Sequence, residues 1–166
     1  MAHDTTSAAP LEALVGHRLR ARGLTAATAE SSTGGLIAKR LTDISGSSDY
    51  VIGAVVAYAD AAKQQVLGVA EQTLIDHGAV SEPVARAMAE GARRLFGTDV
   101  ALSVTGIAGP TGATDTKPVG LHYVGLSAAD GVWVRRFVWD GSRAENRQSA
   151  ADAALRLLLD YLDGER

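Results

Sequence analysis

Three short stretches of this chain carry residue types that could do chemistry. The first, "TAESSTGGLIAKRL" (28–41), sets Ser31, Ser32 and Thr33 beside Gly34 and Gly35, just where an amphipathic pattern begins. A helix N-terminus offers unpaired N–H groups that suit an anion, the glycines allow close backbone approach, and the hydroxyls add donors. An ordinary hydroxyl cap, with glycines easing helix–sheet contact, accounts for the same residues. In "AYADAAK" (57–63), Tyr58 ends an apolar run and Lys63 falls in the first turns of a helix. Partial desolvation there would lower the lysine pKa and make it a general base for a hydroxyl nucleophile, as in Ser-Lys hydrolases. A solvated surface lysine and a tyrosine at the sheet rim form the alternative. The third stretch, "GSRAENR" (141–147), starts a helix with Arg143 and Arg147 one turn apart. Two cations there oppose the helix dipole unless a phosphate or carboxylate joins them, or Glu145 or Asp140 pairs with them locally. Glu30, beside the serines, fits either a residue that orients the site or a local cap.

These groups need elements to hold them. The pattern predicts a helix over 10–22, a short buried strand over 24–30, and a helix carrying Leu36, Ile37, Leu41 and Ile44 on one face. The loop 44–50 leads into "YVIGAVVAYA" (50–59), whose β-branched content predicts a central strand. Asp60 is placed to cap a short helix through Lys63 and Leu67 that ends at Gly68. Ser81 caps a longer one to residue 96, with Val84, Ala87, Met88, Ala92 and Leu95 on one stripe. "VALSVTG" (100–106) is a further strand, followed by a long polar loop (106–120) of the kind that is often functional. "LHYVGLSA" and "VWVRRFVW", joined through Ala129, Asp130 and Gly131, predict an antiparallel hairpin. Ser142 and Glu145 form a capping-box pattern before a last helix to about residue 163. Early alternation of strand and helix with a late hairpin implies an α/β fold with a mixed sheet covered by helices.

Composition narrows the class. The 166 residues suit one domain, 46% of them hydrophobic, and no apolar run is long enough to span a bilayer. Residues 1–9 read as a flexible leader without signal-peptide character, and 10–166 as a single domain. With no cysteine, disulfide and thiolate chemistry are excluded and a cytoplasmic setting is expected. A formal charge of −3 gives no nucleic-acid footprint. His3, His17, His77 and His122 share no metal-ligand spacing, and His122, inside a strand, reads as a packing residue.

The segments "TAESSTGGLIAKRLTDISGSS", "AYADAAKQQVLGV", "HGAVSEPVARAMAEGAR", "ALSVTGIAGPTG" and "KPVGLHYVGL" occur in an order that resembles the CinA C-terminal domain family. The likeness spans about residues 10–163. It implies a three-layer α/β/α sandwich that forms a homodimer. The activity it implies, that of stand-alone members, is metal- and cofactor-free hydrolysis of the carboxamide of nicotinamide mononucleotide to nicotinic acid mononucleotide and ammonia. Family site positions fall on Ser31, Ser48, Tyr58, Lys63, Thr105, Gly106 and Arg143 or Arg147. Many members have Cys at position 32 and read "TYSN" where this chain has "AYAD".

The substrate asks for a nucleophile, a proton shuttle, oxyanion donors and an anion site. The expected assignment makes Ser48 the nucleophile, Lys63 its base and Tyr58 the relay, with Ser31 or an activated water as the alternative nucleophile. Backbone N–H groups near Ser47–Ser48 or Gly106–Ile107 would hold the oxyanion. Ser31, Thr33, Gly34 and Gly35, with Thr105, Gly106 and Arg143 or Arg147, would cradle the nucleotide. The rival expectation is a non-catalytic nucleotide-binding or interaction module in competence or damage responses.

Overall fold

The computed structural model describes residues 9–165; the expected leader, residues 1–9, lies almost wholly outside them. Five strands, β1 (Ala26–Glu30), β2 (Val51–Val56), β3 (Val100–Gly106), β4 (Leu121–Ala128) and β5 (Gly131–Val138), form one sheet in the order β2-β1-β3-β4-β5. β1 runs parallel to both β2 and β3, whereas β3, β4 and β5 pair antiparallel. The expected mixed sheet and late hairpin are both present. The hairpin turn is one residue tighter than expected, because Gly131 already pairs with Ala128.

Helices cover both faces, giving the three-layer α/β/α sandwich. On one side lie α1 (Leu11–Arg22), α2 (Leu36–Thr42) and α6 (Arg143–Asp163), around Val15, Leu19, Ile37, Leu102, Leu126 and Leu158. On the other lie α3 (Asp60–Leu67), α4 (Glu71–His77) and α5 (Glu82–Phe96), around Ala27, Leu67, Leu74, Val84, Met88 and Ala92. Of the α5 stripe, Val84, Met88 and Ala92 are buried as expected, Ala87 is half-buried and Leu95 faces solvent. Two of the three predicted caps form: the Ser81 hydroxyl accepts from Val84 N–H, and Ser142 and Glu145 close a reciprocal capping box, whereas Asp60 is the first residue inside α3 and makes no cap bond. α2 stops at Thr42, so Ile44 lies in the loop after it.

Two further features depart from expectation. β2 is an edge strand, not a central one, and Ile52 and Val56 are exposed on it. Its apolar character comes from Gly53 and Val55, which face α5, and not from burial on both faces. The sequence also left α4 undetected, since its cap position, Ala70, offers no side chain and Leu74 is its one buried residue. No helix among the described residues is long and apolar enough to cross a membrane.

Candidate active site

The three parallel strands end on the same side of the sheet, and each delivers a polar residue there. Beyond such carboxyl ends, open α/β sheets collect their ligands. β1 leads to Ser31, whose N–H donates to Val104 O at 2.9 Å and so extends the ladder by one residue. β2 leads through Ala57 and Tyr58 into α3, which carries Lys63. β3 ends at Thr105 and Gly106. Ser31, Ser32, Tyr58, Asp60, Lys63, Thr105, Gly106 and Arg143 share one cleft of ≈ 200 Å³, closed on a further side by Ala79 and Val80.

Lys63 is the unusual group. Its side chain is only 1% exposed, so it is not a solvated surface lysine. Its Nζ donates to Tyr58 O at 3.0 Å and to Ser31 Oγ at 3.3 Å. Burial holds its pKa below the usual lysine value, and the carboxylate of Asp60, 3.9 Å away, partly opposes that shift. An amine poised toward its neutral form and in hydrogen-bond reach of a serine can take that serine's proton.

Ser48 is not brought to this amine. It belongs to a 3-10 turn over Ser47–Asp49, exposed and tied to α1 through Arg20, which donates to Gly46 O and Asp49. That turn feeds the start of β2, where Tyr50 O accepts from the first residue of β1. Lys63 follows the end of β2, and a strand of that length spans about 17 Å. Within one chain Lys63 therefore meets Ser31. The expected Tyr58 relay is also replaced: its carbonyl touches Lys63, while the residue is 62% exposed and its phenol accepts from Arg143 Nη2 at 3.3 Å.

The expected anion cradle at the start of α2 is already occupied. The buried carboxylate of Glu30 accepts from the N–H groups of Gly35, Ile37 and Ala38 at 3.0, 3.1 and 2.9 Å, and from Thr28 Oγ1. Gly34 and Gly35, both at positive φ, make the tight loop that lets this carboxylate turn inward. Neither lines the cleft, and Thr33 is fully buried. Arg147 is likewise spent, because its guanidinium donates to Ser32 O and Thr33 O and clamps the loop to α6. Arg143 donates to Gly109 O and lines the cleft, so of the two arginines it is the one placed to meet a ligand.

Thr105 donates to Ala79 O and so ties β3 to the turn before α5. Gly106 lies under the buried ring of His122, and a Cβ there would fall 2.1 Å from that ring. His122 thus packs as expected. Of the expected oxyanion donors, Ile107 N–H is spent on Leu121 O and Ser47 N–H on Ile44 O. Among the described residues nothing accepts from the N–H of Ser32, directly after Ser31. Asn146, fully buried, bridges Ala108 O and Gly141 and fixes the loop around Arg143. Its amide gave no sequence signal, since its partners lie in loops distant along the chain.

A three-layer sandwich whose parallel strands converge on a buried lysine and a serine defines the class. The chain belongs to the CinA C-terminal domain family, whose model matches residues 8–162. It is 56% identical over 145 residues to a CinA-like protein of Salinibacter ruber, and 48% identical over 155 residues to a putative competence-damage inducible protein of Desulforamulus reducens. These matches cover 87% and 93% of this chain but 35% and 38% of those relatives, so the chain spans about a third of their length. Among solved structures it is similar to the competence/damage inducible protein CihA from Agrobacterium tumefaciens, with 40% identity, a TM-score of 0.88 and coverage of 92% and 95% of the two chains. A CinA superfamily protein from Klebsiella pneumoniae gives 32% identity, a TM-score of 0.90 and coverage of 93% and 96%.

Proposed function

We propose that this domain hydrolyses the carboxamide of nicotinamide mononucleotide to nicotinic acid mononucleotide and ammonia, with Ser31 as nucleophile and Lys63 as general base. The observation that carries this reading is the buried Lys63 amine, 3.3 Å from Ser31 Oγ. Neutral Lys63 takes the Ser31 proton as Oγ attacks the amide carbon. The N–H of Ser32 stabilises the oxyanion. The Lys63 ammonium then returns the proton to the departing nitrogen, so that ammonia leaves and an acyl-Ser31 remains. Water, deprotonated by the same amine, releases the carboxylate and regenerates Ser31.

The cleft is smaller than the 300–1,000 Å³ usual for whole-ligand pockets, so only the amide-bearing ring enters, and the 5′-phosphate reaches Arg143 at the rim. Arg143→Ala is expected to raise KM about tenfold with kcat little changed, measured by steady-state ammonia release. Purified protein incubated with nicotinamide mononucleotide tests the whole reading. Binding without ammonia release would leave the non-catalytic nucleotide module.

The proposal includes a cytoplasmic homodimer without metal or cofactor. Support for the second copy comes from the open edge of β2, where Ile52 and Val56 stand beside unpaired backbone groups. Val56→Lys is expected to convert a dimer to a monomer in sedimentation velocity.

A further inference from the structure

Asp60 opposes the chemistry of its neighbour. Its carboxylate lies 3.9 Å from Lys63 Nζ on the same cleft wall, and its side chain is 60% exposed. A nearby anion favours the ammonium, whereas the base must be the free amine. Nothing else among the described residues engages this carboxylate. It accepts no hydrogen bond, and Arg143, the other cation of the cleft, donates to Gly109 O and the Tyr58 hydroxyl. The titratable or charged groups that share the cleft with Lys63 are Tyr58 before α3, Asp60 on α3 and Arg143 on α6. Tyr58 adds an exposed aromatic ring to the same rim, and such a face attracts a flat cation.

We propose that Asp60 and the Tyr58 ring select a substrate ring bearing a positive charge, and that its arrival drives the proton off Lys63. The inference rests on the amidase reading, since the pyridinium of nicotinamide mononucleotide is such a ring. In the empty site Asp60 holds the lysine nearer its ammonium form. A cation docked beside Asp60 cancels that hold and repels the ammonium, so the proton passes to water and the base forms where the amide has just been placed. The carboxylate thereby couples ring charge to base activation. A neutral ring gains neither the attraction nor the activation.

The experiment compares nicotinamide mononucleotide with its reduced form, whose dihydropyridine ring is neutral, in wild type, Asp60→Asn and Asp60→Glu. Because kcat/KM reports the free enzyme and kcat the complex, the wild-type acid limb of kcat is expected about one pH unit below that of kcat/KM with the cationic substrate. With the neutral substrate the limbs coincide and kcat/KM falls about fivefold. Asp60→Asn lowers the kcat/KM limb, closes the gap and removes the preference, while Asp60→Glu restores both. Coincident wild-type limbs, or a preference unchanged in Asp60→Asn, overturn the proposal. A second measurement separates it from the amidase reading: NMR titration with the N-methylnicotinamide cation and with neutral nicotinamide. A roughly fivefold preference for the cation that is lost in Asp60→Asn supports cation selection even in a protein that releases no ammonia. Equal affinities refute it even in an active amidase.

Discussion

Replacing Ser31 with alanine is expected to lower kcat for ammonia release by roughly three orders of magnitude or more, whereas Ser48→Ala stays within about twofold of wild type. The contrast follows from position alone. Ser31 Oγ lies 3.3 Å from a buried amine, whereas Ser48 sits in the exposed 3-10 turn before β2, at the other end of that strand from Lys63. The two substitutions remove the same hydroxyl, one from the buried strand end beside Lys63 and one from an exposed turn, so each is the control for the other. Intact-mass analysis of a trapped intermediate should place the acyl group on Ser31. An active Ser31→Ala together with an inactive Ser48→Ala would instead require a second copy to carry its Ser48 into this cleft.

Lys63→Met is the second large effect, and it should separate activity from stability. The variant is expected to lose turnover by about three orders of magnitude while still binding nucleotide, because only the proton acceptor is removed. Its Tm at neutral pH should rise by about 2–4 °C, the shift that roughly 1 kcal/mol gives in a domain of this size. The sign comes from the direction of the lysine pKa. The folded value lies below the unfolded one, near 10.5, so the native state carries a penalty for the charged amine at any pH below the folded value. That penalty fades as pH rises toward 10.5, and the advantage of methionine should fade with it. Thermal unfolding followed from pH 6 to pH 11 checks both the size and the slope.

Much of the fold was legible because local signals agreed with the tertiary result. Ser81, the Ser142–Glu145 pair and the Val84–Met88–Ala92 stripe say the same thing in sequence and in three dimensions. The likeness of the ordered segments to one family is equally plain, and the place of Lys63 after an apolar strand marks it as a candidate. Other features depend on which strands are neighbours, and chain order does not state that. The apolar run at 50–59 gave a strand but not its edge position. Ser48 precedes that strand and Lys63 follows it, so their separation by a strand length is implicit in the predicted elements themselves. Arg143 and Arg147 share one helix face, and a single turn decides that one meets the cleft and the other the carbonyls of Ser32 and Thr33. Glu30 was undecided because its partners, the amides of residues 35, 37 and 38, become neighbours only after the loop has closed.

The inward carboxylate of Glu30 also governs how the domain meets its ligand. An anion that would otherwise have to come from outside is built into the polypeptide, so the turn bearing Ser31 keeps its shape in an empty pocket. Recognition then spends no free energy on ordering that turn, and incoming phosphate finds no vacancy there to compete for. On the proposed reading, ligand arrival alters the balance of charge around a fixed frame, with the moving part reduced to a proton.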